Sequence, residues 1–226
     1  MCVRLGLWQL SRYHEKRQIN AATRTARAAA PLRWTGPALA PGALGRRIEV
    51  AGRYDERRQI LLVARFHDGE PGVEVITPLT LDAGAAVLVN RGWLPSLDAA
   101  SARPQDFPEP GAVRVIGVAE GFGRKVRGAA IRVVESDSLT VLSTDALDRD
   151  SLNARLPYPI APWILRQLPG PGVPESPKRT PPAPLEETMH LGYAIQWFGF
   201  AAIVLCGSAA LAWSRRASAD REKRQT

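Results

Sequence analysis

The stretch LGYAIQWFGFAAIVLCGSAALAW, residues 191–213, runs 23 residues without a formal charge. As a helix rising 1.5 Å per residue it spans roughly 34 Å, enough for a hydrocarbon core of about 30 Å. Tyr193, Trp197 and Phe198 stand at one end and Trp213 at the other, where interfacial aromatics sit. Arg215, Arg216, Arg221, Lys223 and Arg224 follow at once. By the positive-inside rule this basic tail (214–226) is cytoplasmic, and the chain before the helix lies outside. The competing reading, a buried helix of a soluble protein, is disfavoured by the length and by these flanks.

Working upstream, an outside body requires an earlier crossing. Residues 1–10, MCVRLGLWQL, are apolar but too short to span, and no signal-peptide pattern precedes them. They are expected to be the remnant of a first, truncated transmembrane helix whose true start lies upstream, with Arg4 the awkward residue inside it. Residues 11–30 are rich in helix formers with Arg and Lys at intervals, which predicts a membrane-proximal helix continuing outward. Pro31 breaks it.

From Arg46 the apolar period changes to two. The segments 46–54, 59–66, 73–81, 85–93, 112–120 and 131–136 read as strands, with a last one at 161–168. Residues 67–72 form a turn cluster, and Asp82-Ala83-Gly84 signals a hairpin. A short helix over 144–153 is expected, capped by Thr144 or Asp145. Residues 31–168 thus predict a β-rich, mainly antiparallel sheet or small barrel. The six prolines of 169–182, with Pro184, make 169–189 an extended linker to the transmembrane helix, 190–213. The expected class is a membrane-anchored α+β protein with a β-rich extracytoplasmic domain.

The net charge is +8, but residues 1–58 carry 12 basic and 4 acidic groups while 59–214 carry 13 and 16. Basic charge confined to the two ends suits membrane flanks, and no nucleic-acid module accompanies it, so no nucleic acid is expected as a partner. Two cysteines, Cys2 and Cys206, exclude a disulfide framework or a Cys-based zinc site. No Walker, dinucleotide or His-Glu-x-x-His motif occurs. His67 sits in the turn cluster with no nucleophile elbow in the chain, and Gly121 to Lys125 reads as a turn.

His190 differs. It borders the apolar helix, with Tyr193 three and Trp197 seven residues on, on one helical face. A planar apolar macrocycle needs an axial ligand, apolar walls and an aromatic face, and this stripe offers all three. An interfacial histidine among belt aromatics is the plainer alternative. Gly192, Gly199, Ile195 and Cys206 form a neighbouring stripe that would allow close approach of a second helix. That helix would bring Trp8 to the depth of His190.

Five blocks, in order, resemble the Surfeit locus protein 1 family of cytochrome c oxidase assembly factors. They are Gly6-Leu7-Trp8-Gln9-Leu10-Ser11-Arg12 with Glu15-Lys16, Arg47-Ile48-Glu49-Val50-Ala51-Gly52-Arg53-Tyr54-Asp55, Pro71-Gly72-Val73-Glu74-Val75-Ile76-Thr77-Pro78-Leu79, Val87-Leu88-Val89-Asn90-Arg91-Gly92-Trp93-Leu94-Pro95 and His190-Leu191-Gly192-Tyr193-Ala194-Ile195-Gln196-Trp197. The resemblance implies two membrane helices around an extracytoplasmic β-rich domain in the cell membrane. It implies a non-catalytic role in delivering haem a to the oxidase catalytic subunit. The oxidase catalytic subunit, the haem a synthesis machinery and the lipid bilayer are the implied partners, His190 is the implied iron ligand, and Trp197 and Tyr193 lie beside it. Thr188-Met189 and Val73 depart from the family pattern. A haem-independent scaffold for oxidase subunits, acting through Asn90 to Trp93, is the alternative. Arg91 is expected to pair with a carboxylate or carbonyl across the sheet, with a haem propionate as the other possibility.

Overall fold

Strict alternation drives the first long strand. Along Arg47–Tyr54, Ile48 and Val50 are buried while Ala51 and Arg53 face solvent. The computed structural model describes residues 1–36, 39–123, 131–136 and 139–223. In chain order its elements are α1 (Cys2–Ala28), β1 (Leu32–Trp34), β2 (Arg47–Tyr54), β3 (Ile60–His67), β4 (Glu70–Thr80), β5 (Ala86–Pro95), β6 (Ala112–Gly121), β7 (Arg132–Ser136), β8 (Leu139–Thr144), α2 (Arg149–Asn153), β9 (Ile160–Gln167) and α3 (Thr188–Lys223). Two units result: residues 25–183, and a helical unit of 1–24 with 184–226.

In the first unit the strands run in the order β1-β2-β6-β9-β5-β4-β3-β8-β7. Arg53 and Tyr54 of β2 also pair with Thr80 and Leu79 of β4, closing β2, β6, β9, β5 and β4 into a barrel. The pairings are antiparallel except β1–β2, β3–β8 and β5–β9, which are parallel. One core packs Ile48, Val50, Leu79, Val87, Val89, Val115 and Leu165 around Trp163, whose ring meets Trp34 edge-on at 5.0 Å. Burying each such aliphatic side chain contributes about 1.5–3 kcal/mol.

Several boundaries move. Asp68 and Gly69, at φ 52° and 85°, make a two-residue turn, so β3 and β4 extend into the expected turn cluster. The expected helix over 144–153 is shorter: Thr144 ends β8, and the carboxylate of Asp148, not Thr144 or Asp145, accepts the Ser151 N–H at 3.0 Å. Strands β1 and β8 were not expected. Arg124 and Lys125 of the 121–125 run lie outside the described residues.

A bulge shapes β5. Val75 faces Gly92 while Ile76 faces Asn90, leaving Arg91 as the extra residue, its side chain turned wholly inside. Gly92 adopts φ 123°, and a Cβ there would lie 2.4 Å from the Lys178 carbonyl oxygen. That carbonyl belongs to the proline-rich stretch, which crosses the barrel: Lys178 and Trp93 exchange backbone hydrogen bonds of 2.8 and 2.9 Å. Arg179 then plunges inward. Its guanidinium donates to the carbonyls of Pro174 and Pro177 at 2.8 Å, to Gln167 Oε1 at 3.2 Å and to Glu109.

In the helical unit, α1 is one continuous helix, and α3 is long and apolar enough to cross a membrane over Thr188–Arg216. The two run antiparallel. Cys2, Gly6, Gln9, Tyr13, Lys16 and Asn20 of α1, spaced alternately by four and three, are among its less exposed positions and form one seam. On α3 the matching seam is His190, Ala194, Trp197 and Ala201.

Candidate functional site

The helical seam carries the site. A Cβ on Gly6 would lie 2.7 Å from a Phe198 ring carbon, so α1 and α3 approach through a missing side chain. This corrects the expectation that the Gly192, Gly199, Ile195 and Cys206 stripe packs. All four are exposed, and nothing lies within 4 Å of where the Gly192 or Gly199 Cβ would be. The reason is rotational: two residues turn a helix by about 200°, so Gly192 lies almost opposite His190. The small residue at the crossing is contributed by α1.

At the junction, Asn20 clamps the segment before α3. Its amide donates to the Leu185 carbonyl and accepts the Leu185 N–H, both at 2.9 Å. Lys16 Nζ donates to the Glu186 carbonyl at 2.9 Å. Hydrogen bonds from the Thr188 hydroxyl and N–H hold the Glu186 carboxyl below its usual range and start α3.

Between these latches, His190 Nδ1 lies 2.7 Å from Gln9 Oε1. With Gln9 Oε1 as the acceptor, Nδ1 is the nitrogen that carries a proton in this contact, and a neutral ring would then keep its lone pair on Nε2. Among the described residues no partner engages Nε2. His190 is half-buried, Trp197 half-buried with Phe200 edge-on at 5.9 Å, and Tyr193 is 48% exposed on the flank. Trp8 is also exposed, its ring beneath the Arg12 guanidinium at 5.9 Å. Gln9, not Trp8, meets the imidazole. Sequence reading missed it, although the four–three spacing from Cys2 and Gly6 through Gln9 to Tyr13, Lys16 and Asn20 marks the seam it lies on.

In the barrel unit the conspicuous polar groups are structural. Arg91 is fully buried and donates to Glu109 Oε1 at 2.8 Å and to the Phe107 carbonyl at 2.5 Å. Its pairing with a carboxylate and a carbonyl is therefore made inside the barrel, and no haem propionate can reach it. Arg179 shares Glu109, so two guanidiniums rest on one carboxylate. Burial, with Arg91 nearby, lowers the Arg179 pKa. Tyr54 lies against Arg91 at 5.1 Å with its hydroxyl enclosed and unpartnered, and burial together with Glu109 raises its pKa. His67 pairs with exposed Asp68 at 3.1 Å and tilts against Trp93 at the rim of a cleft of about 340 Å³. Arg166 crosses that cleft to Glu74 at 2.7 Å and Glu120 at 3.0 Å. Among the described residues no three His, Cys, Asp or Glu side chains stand together as a metal cage.

The class so defined is a membrane protein with one helix long and apolar enough to span, a second helix packed against it beside His190, and an extramembranous β-barrel domain. The SURF1 family model matches residues 1–202, and the chain belongs to the SURF1 family. Members of that family are non-catalytic assembly factors. A SURF1-like protein of Dictyostelium discoideum is 30% identical over 99 residues, which cover 39% of this chain and 37% of that protein.

Proposed function

We propose that the chain assists the delivery or insertion of haem a into the catalytic subunit of cytochrome c oxidase, with His190 as the iron ligand. The observation that carries this is the imidazole at the edge of the apolar helix, its Nδ1 facing Gln9 Oε1 at 2.7 Å and its Nε2 without a partner among the described residues. The donor set fits the group. A haem iron is already held by its macrocycle, so a lone histidine such as His190 would suffice to hold it where a protein-built metal cage would need more. Trp197 and Tyr193 flank the ligand with apolar ring surface.

The chain divides in this reading into a first membrane-associated segment (1–10), a membrane-proximal helix (11–30), an extracytoplasmic barrel domain (31–168), a proline-rich connection (169–189) that packs on the barrel through Lys178 and Arg179, a transmembrane helix (190–213) and a cytoplasmic tail (214–226). The five basic residues after the helix support that orientation. The partners are the oxidase catalytic subunit and the machinery that makes haem a.

Co-expression with haem a synthesis and purification in detergent tests this. Haem absorbance should accompany the wild type and vanish in His190→Ala. Full haem absorbance in that variant overturns the ligand assignment. Oxidase subunits that co-purify without haem, unaffected by His190→Ala, identify a scaffold instead.

A further inference from the structure

We propose that Gln9 is the positioning residue that fixes the tautomer and direction of the His190 imidazole, and that its neutrality keeps the ligand exchangeable. The proposal rests on the reading of His190 as the axial ligand. The Oε1–Nδ1 distance of 2.7 Å joins residues 181 apart in sequence, so it exists only because the two helices hold one register. Three independent contacts set that register. Gly6 lets Phe198 close over α1 on one side of the pair, and Asn20 and Lys16 grip the backbone of Leu185 and Glu186 on the other.

The chemistry follows from the acceptor. A histidine side chain in water favours the Nε2–H tautomer, which cannot coordinate through Nε2. An acceptor held at Nδ1 reverses the preference before any ligand arrives, as partners beyond the coordinating ring do at metal sites. A carboxylate there would also push electron density through the ring and strengthen the bond to iron. An amide oxygen orients the ring without adding charge. The result is an imidazole aimed for capture and weak enough to let go, as a carrier requires.

The test uses the full chain in detergent with ¹⁵N-labelled histidine. The chain has three histidines, so His190→Ala assigns the signals of the third. Without ligand, His190 should be the Nδ1–H tautomer in the wild type and shift toward Nε2–H in Gln9→Leu. With haem a as probe, Gln9→Leu should bind about 10–100-fold more weakly. Gln9→Glu, which retains an acceptor, should keep the tautomer, lower the iron potential and slow transfer of haem to apomyoglobin. An unchanged tautomer in Gln9→Leu overturns the proposal, and so does a changed tautomer with unchanged haem affinity. Should Gln9→Leu misfold, Gln9→Glu decides by itself: release as fast as the wild type refutes the role of neutrality. If His190→Ala retains haem, the ligand reading falls, while the ligand-free spectra still report whether Gln9 orients the ring.

Discussion

Replacing Glu109 by glutamine removes the one carboxylate shared by two buried arginines. Arg91 and Arg179 have side chains 0% and 1% exposed, and both guanidiniums reach the same Oε1. Glutamine keeps the size and one acceptor but leaves two positive charges without a counter-ion. Removing one partner of a buried ion pair costs about 3–5 kcal/mol. The Glu109 side chain retains 11% exposure, which admits some solvent and places the expected loss near the lower figure. For a unit of this size, about 3 kcal/mol lowers the melting temperature by roughly 6–12 °C. Near-ultraviolet circular dichroism of the full chain in detergent reads it through the edge-on Trp34–Trp163 pair. Arg179→Met supplies the contrast: it leaves Arg91 and Glu109 matched one to one, and should cost less even though three acceptors lose their donor. A Glu109→Gln loss under about 1 kcal/mol, or one smaller than that of Arg179→Met, refutes the charge argument.

Gly92→Ala should destabilise the barrel by at least about 1–3 kcal/mol, because φ 123° disfavours any side chain and the new Cβ meets the Lys178 carbonyl; chemical denaturation measures it. Tyr54→Phe should be neutral or stabilising by up to about 1 kcal/mol at pH 7, since the hydroxyl it removes is enclosed without a partner. The same variant reports on alkaline stability. Tyr54 keeps its proton in the folded state above its usual pKa of 10, so the unfolded chain ionises first. The contribution of Tyr54 to stability is full below pH 10 and falls by at most about 1.4 kcal/mol per pH unit above it. Tyr54→Phe should flatten that decline in pH-dependent melting curves, leaving the part due to Tyr158, whose pKa is also raised.

The long strands were legible because burial follows the pleat: Ile48, Val50, Val87 and Val89 alternate or run together as a buried strand demands. Strand β1 was not, since three residues among prolines and glycines carry no period. The barrel's closure was hidden because it rests on two residue pairs, Arg53–Thr80 and Tyr54–Leu79, that no local pattern encodes. A pairing for Arg91 was read from sequence, but the partners came from segments outside its strand. Glu109 sits in a loop, and Arg179 follows a proline run whose composition reads as a plain connection. At the candidate site His190, Tyr193 and Trp197 followed from helical spacing. Gln9 did not, because a hydrogen bond across 181 residues depends on the register of two helices, and the glycines that drew attention lie on the wrong face of α3.

The place of β9 in the barrel bears on how the protein is made. It is the last strand synthesised, yet it lies between β6 and β5, pairing antiparallel with one and parallel with the other. About forty residues separate the end of β6 from its start. At roughly 5–20 residues per second, a nascent chain waits several seconds with two apolar strand edges unsealed. Folding of this unit therefore finishes late in translation, and a chaperone that shields those edges has a defined interval in which to act.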